Sequence, residues 1–406
     1  MVTSIFTVIS LLYAFRSLQI GRLVWQNWGE IRSDRFKPEQ KNLAQQASFF
    51  LAVPVAVIFH ELSHAIAVWL FGGRVVDFGY YLYWGFVQPA GVFTYTQLWF
   101  IALAGTLGSL LFGLGLWLLL RRSPSPTIRY FGLRAFRFQI YFSLLYYPIF
   151  TLIGFYGDWR MIYDFDAIPV ISGLTAAVHA ALLVLFWWAD RIGWFEMATF
   201  QTPEEGKRLV AMERGREIAA MNTEEQLIAV DAYRRGGATK KAKRQLQNYL
   251  KQHSDSAKGH LLQAAIQTEN GKHYPRTARD SAEAALKLGL SSPADQALAY
   301  SIMGQYSLNA RRYDEAIELF NQGLTAVRSS GNPGTTAHLT YLRGVAQRRK
   351  GQLTSAYQDV QQAILLAQQG GHPQSVAQYQ QELETIEHQS PRPPGSSVVN
   401  NNRNNF

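Results

Sequence analysis

At 406 residues the chain is long enough for two or more domains, and its mean composition hides two solvents: apolar and aromatic residues crowd the first half, Gln, Lys, Arg, Ala and Glu the second. There is no cysteine, which excludes disulfides, thiolate metal sites and a thiol nucleophile and leaves His, Asp and Glu as the side chains able to hold a metal. The formal net charge of +10 comes from Lys and Arg spread along the chain, a solvated-surface pattern in which part of the charge suits loops facing anionic lipid, so nucleic acid is not expected as a partner.

In chain order, residues 3–25 are apolar up to Phe15 and then carry Arg16 and Arg22, which leaves a span, an interfacial helix and an uncleaved start signal all open. Residues 44–73 are apolar except for His60, Glu61 and His64 at their centre. Residues 74–97 interleave glycines with Tyr80, Tyr81, Tyr83, Trp84, Phe86, Phe93 and Tyr95, a pattern suited either to a β-hairpin resting in the membrane interface or to an aromatic belt loop. Residues 98–120, 138–157 and 168–189 carry no charge and exceed the roughly 18 residues that mark a spanning helix.

After Thr202 the chain turns polar and helical. Gly304, Tyr313, Ala316 and Gly323 recur as Gly344, Leu353, Ala356 and Ala363, each at an offset of 40 positions. These stretches resemble tetratricopeptide repeats, with small residues where two antiparallel helices touch. Weaker copies fall around 233–250 and 260–286, and the longer offset implies an extended helix or loop around 329–335. Such repeats present surfaces to protein or peptide partners. From Ser390 onward Pro, Gly, Ser and Asn dominate, the composition of a disordered tail.

His60, Glu61 and His64 form the pattern HExxH. On a helix, positions i and i+4 share a face, so both imidazoles can bind one zinc ion while the neighbouring glutamate reaches a water held by the metal. Ionisable residues at the middle of a spanning helix cost a few kcal/mol each on insertion scales, roughly 2.5–3.5, and are functional by default. A membrane anchor has no reason to retain Glu61 there, and an ion transporter would call for more intramembrane polar groups than this one.

A motif embedded in a spanning helix, followed by Ala104–Leu111 (AGTLGSLL) and a downstream Gly157-Asp158 pair, resembles the site-2 protease family of intramembrane metalloproteases over about residues 44–162. The resemblance implies His60 and His64 as zinc ligands, Glu61 as general base and an aspartate on a later membrane helix as third ligand. Asp158 matches that aspartate best, with Asp164 and Asp166 as rivals. Where the family has Gly-Pro and then Asn in its middle helix, Gly105, Thr106 and Ser109 stand here. His179, inside the last span, is read as a packing residue.

These readings together predict an all-α protein: a multi-pass membrane helix bundle of four to five spans with a small aromatic hairpin, plus a soluble helical repeat domain. The expected divisions are an N-terminal anchor or interfacial segment (1–43), a membrane metalloprotease domain (44–200), a repeat domain (202–389) and a tail (390–406). The expected activity is zinc-dependent hydrolysis of membrane-protein substrates at the lipid bilayer; the alternative is an inactive membrane-anchored repeat scaffold. Positive charge in loops 26–42 and 121–137 points these loops and the repeats to the cytoplasm, whereas the family resemblance points the hairpin and aspartate there.

Overall fold

The computed structural model describes residues 2–154, 157–213, 223–269, 273–328 and 332–389, and the expected tail at 390–406 lies outside them. The chain forms two compact units, Met1–Ala242 and Lys243–Phe406. The first begins with α1 (Val2–Gln26), α2 (Trp28–Ile31), α3 (Pro38–Phe50) and α4 (Ala52–Leu70), and continues through β1 (Arg74–Tyr80), β2 (Gly85–Ala90), α5 (Tyr95–Leu120) and α6 (Pro126–Tyr141). A π-helical turn (Phe142–Tyr146) leads into α7 (Tyr147–Leu152), then α8 (Trp159–Ile162), α9 (Pro169–Arg191), α10 (Pro203–Glu213) and α11 (Thr223–Arg235); α12 (Thr239–Gln252) leads into the second unit.

Three helices among the described residues are long and apolar enough to cross a membrane: Pro38–Leu70, Tyr95–Leu120 and Pro169–Arg191. The most apolar stretch of the last is only 11% buried within the protein, and Val170, Leu174, Val184 and Leu185 stand exposed along it. Apolar surface on that scale needs lipid to cover it, which supports a membrane protein. The fourth expected span, 138–157, differs. Its helix starts earlier with the charged turns of α6, is interrupted at Phe142–Tyr146 and ends at Leu152. A hydropathy average registers the apolar side chains and not the interruption.

Two prolines shape this unit, and each frees a carbonyl that a side chain then satisfies. Proline has no N–H, so the carbonyl four residues earlier loses its helical donor. Pro54 releases the Phe50 carbonyl, which accepts from Ser17 Oγ at 2.8 Å and Tyr83 Oη at 3.2 Å. Pro148 releases the Leu144 carbonyl, which accepts from His179 Nε2 at 2.6 Å. In lipid no water would do this, so a side-chain donor is what makes each break tolerable.

The strands pair antiparallel, with a register shift between Val75 and Asp77. The turn is closed by the Tyr81 N–H on the Trp84 carbonyl and by the two stacked rings, 4.3 Å apart. The hairpin does not rest at the end of α4. It folds back along that helix, with Tyr80 Oη donating to the Pro54 carbonyl at 3.0 Å and Tyr83 reaching Phe50 and Ser17. The two hydroxyls find carbonyls at the α3–α4 junction, and these bonds draw the turn to the opposite end of α4 from where β1 begins.

Helices α4 and α5 run antiparallel in close contact: a Cβ at Gly108 would stand 2.7 Å from the Phe59 carbonyl. Small residues at such crossings are the usual means of membrane helix association. At the far end of α5 the two arginine-rich loops meet, Ser125 Oγ donating to the Ile31 carbonyl. The chain returns to the same end after α9: Phe36 and Phe200 form a β-bridge, Lys41 Nζ donates to the Gly236 and Gly237 carbonyls at 3.0 Å each, and Asp190 binds Arg137 and Lys240. These bonds group residues up to 242 with the membrane helices.

The second unit is a helical repeat-like region of antiparallel pairs: α13 (Ala257–Gln267) with α14 (Arg276–Lys287), α15 (Pro293–Asn309) with α16 (Tyr313–Val327), α17 (Pro333–Lys350) with α18 (Leu353–Gln369), and a closing α19 (Pro373–Gln389). The small residues mark the crossings. Gly304 lies against the Phe320 ring, Gly344 against Val360, and Ala316, Ala356 and Ala363 are fully buried. Of the expected 329–335 extension, residues 329–331 lie outside the described residues, and α17 begins at Pro333.

Candidate metal centre

His60 and His64 sit one turn apart on α4, on the face turned to α5. His64 Nδ1 lies 2.6 Å from the Ile101 carbonyl. A carbonyl only accepts, so Nδ1 carries a proton, and in the neutral ring Nε2 keeps its lone pair facing inward. His60 Nδ1 lies 3.2 Å from Ser109 Oγ, which turns its Nε2 to the same point. Both rings are thus oriented from behind by α5.

The third group comes from the far side. Asp158 stands at the start of α8, where Trp159 and Ile162 are buried against Ala102 and Leu144 and fix the short helix in place. Its Oδ2 lies 3.1 Å from His60 Nε2 and 3.2 Å from His64 Nε2. His60, His64 and Asp158 form a group whose three ligand atoms lie within 4.8 Å of one another. Two donors about 2.1 Å from a tetrahedral ion are roughly 3.4 Å apart, so these separations match a zinc-sized cation. The donor chemistry agrees, because two imidazole nitrogens and a carboxylate oxygen are a ligand set that suits a zinc ion.

Glu61 is 5% exposed, and its carboxylate makes no hydrogen bond among the described residues. It lies under the first residue of β2: a Cβ at Gly85 would stand 2.6 Å from Glu61 Cγ and 2.8 Å from Oε1. On the opposite wall a Cβ at Gly105 would stand 2.6 Å from His60 Nε2 and closer still to His64 Nε2. Glycine at both positions lets backbone close over the cluster without filling it.

The rivals lie elsewhere. Asp164 Oδ1 accepts from the Ala167 N–H at 3.0 Å and its carbonyl accepts from Ser172 Oγ at 3.1 Å, so it shapes the turn into α9. Asp166 is exposed outside the cluster. His179 packs, as its position in an apolar helix suggested, between the Leu144 carbonyl, Tyr163 Oη and the Trp159 ring. Sequence reasoning missed Ser109 as an orienter of His60 and Tyr147 as a partner of Asp158. The one signal for Tyr147 was the proline after it.

Residues 45–157 match the family model described as Peptidase M50B-like. The matched span holds His60, Glu61, His64 and the hairpin, ends one residue before Asp158, and is little more than a quarter of the chain. A solved structure titled "MamA RS-1 ArsTM double mutant" is similar at 19% identity over 41% of this chain and 95% of that chain, with a TM-score of 0.29, too low to carry an argument. No curated protein matches. The family match supports a site-2-protease-like metallopeptidase for residues 45–157, which carry His60, Glu61 and His64.

Proposed function

We propose that this chain is an intramembrane zinc metalloendopeptidase that cuts membrane-protein substrates. The observation that carries the reading is the convergence of His60, His64 and Asp158 on one point between helices of spanning length, with Glu61 beside them. The three side chains would hold the metal. Bound zinc supplies a Lewis acid for the scissile carbonyl and lowers the pKa of water toward 7.

The protein's own groups do the rest. Glu61 takes a proton from the attacking water and passes it to the departing amine, a role open to a carboxylate without competing hydrogen bonds. Ser109 and the Ile101 carbonyl keep both imidazoles turned inward. The helix packing keeps the surroundings apolar, which strengthens each of these interactions. A substrate helix must unwind to expose its carbonyls, and β2, whose backbone crosses Glu61 at Gly85, offers an edge on which the extended strand can pair.

The repeats act by recruiting protein or peptide partners, or by gating access, since every group in the cluster lies before Ile162. The two arginine-rich loops and the segment entering the repeats share one end of the membrane unit, and the positive-inside rule places that end in the cytoplasm.

Metal removal tests the reading. Chelation of the purified full chain in proteoliposomes is expected to abolish cleavage of a single-span substrate, and stoichiometric zinc to restore it. Cleavage that survives complete metal removal would refute it.

A further inference from the structure

Asp158 is held by a group that is not itself a donor to the cluster. Tyr147 Oη donates to Asp158 Oδ2 at 2.9 Å and accepts the Asp158 backbone N–H at 3.1 Å. Oδ2 is the same oxygen that faces both histidines. One hydroxyl therefore pins the side chain and the backbone of the aspartate together. The Tyr147 ring meets the His60 ring edge-on at 5.7 Å, and Gly157 lies so close that a Cβ there would be 3.0 Å from Oη.

The placement of Tyr147 has a cause in the helix. It follows the π-helical turn Phe142–Tyr146, and one extra residue in a turn rotates everything after it by about 100°. Pro148 leaves the Leu144 carbonyl without a helical donor, and His179 supplies one at 2.6 Å. His179 also accepts from Tyr163 Oη and lies against the Trp159 ring at 4.5 Å, so α9 braces the interrupted helix and α8 at once. The frame thus spans the one connection, between α7 and α8, that delivers the aspartate.

Resting on the metal-site reading above, we propose that Tyr147 is the positioning residue of this centre: its hydroxyl sets the aim of Asp158 Oδ2 and thereby the affinity and geometry of the bound metal. The hydroxyl occupies one lone pair of Oδ2 and leaves another directed at the histidine nitrogens. Without it the carboxylate can turn about its side-chain torsions, and the entropy of fixing it is charged to metal binding. Partners of this kind are worth roughly 10- to 100-fold in metal affinity.

The test uses the full chain with zinc and, as a spectroscopic probe, cobalt(II). Tyr147→Phe is expected to raise the zinc dissociation constant about 10- to 100-fold against a chromophoric chelator and to shift the cobalt visible bands. Placing 4-aminophenylalanine at 147, which keeps a donor there, is expected to recover most of the affinity; 4-methylphenylalanine, of matching size without a donor, is not. This second pair decides the matter should the Phe variant fail to fold. Unchanged affinity and cobalt spectrum in Tyr147→Phe, with both altered in Asp158→Asn, would overturn the role of Tyr147 and leave the metal site standing. Unchanged metal binding in Asp158→Asn as well would bring down the site itself.

Discussion

Asp158→Asn is expected to weaken zinc binding by at least about 100-fold, beyond the usual loss for an outer partner, and to abolish hydrolysis, while Asp164→Asn changes neither by more than about twofold. The two carboxylates are six residues apart in sequence and differ in what they face. Asp158 Oδ2 stands between two imidazole nitrogens, where a neutral amide removes the anionic donor and presents either a weaker oxygen or an N–H in its place. Asp164 receives a backbone N–H, which an amide oxygen accepts equally well. Zinc titration of the two purified variants separates the cases, and equal loss in both would mean that the segment, not one oxygen, is what matters.

Gly105→Ala is expected to empty the centre of metal without changing any donor. The added methyl would stand 2.6 Å from His60 Nε2 and closer to His64 Nε2, in the space on which the proposed ligands converge. Neither ring can turn away cheaply, because the Ile101 carbonyl and Ser109 Oγ hold them from behind. Gly115 on the same helix is the control: a Cβ there meets nothing within 4 Å, so Gly115→Ala is expected to keep full metal content. It should also add up to about 1 kcal/mol through helix propensity. Metal analysis of the two variants checks both statements, and full zinc occupancy in Gly105→Ala would show that the cluster opens in a way the packing does not suggest.

The two histidines and Glu61 were legible because their geometry is local: helical spacing alone puts His60 and His64 on one face. Asp158 was legible through the Gly-Asp pair at the end of an apolar run and a family resemblance, not through spacing, since it lies 98 residues from His60. Ser109 and Tyr147 were not, because their roles exist only once α5 crosses α4 and a π-helical turn rotates the chain. The interrupted helix read as a uniform span for the same reason.

The glycine-spaced aromatics at 74–97 left a hairpin and a belt loop equally open, and the hairpin's course along α4 depends on hydroxyls finding the carbonyls of Phe50 and Pro54, which no local pattern encodes. Small residues at an offset of 40 did mark the helix crossings of the second unit. The compact unit that ends at Ala242 owes its last stretch to bonds from Lys41, Asp190 and Glu196 that carry no periodic signature.

The most direct measurement of the central claim determines zinc content and cleavage of a single-span substrate on the same preparations of the full chain, with and without Glu61→Gln. Loss of a general base costs roughly 10²–10⁴-fold in rate. Both the variant and the unaltered protein are expected to hold one zinc per chain, and the variant to cleave at least about 100-fold more slowly. Cleavage at the unaltered rate by a zinc-loaded Glu61→Gln protein would contradict the assignment of this cluster as a peptidase centre.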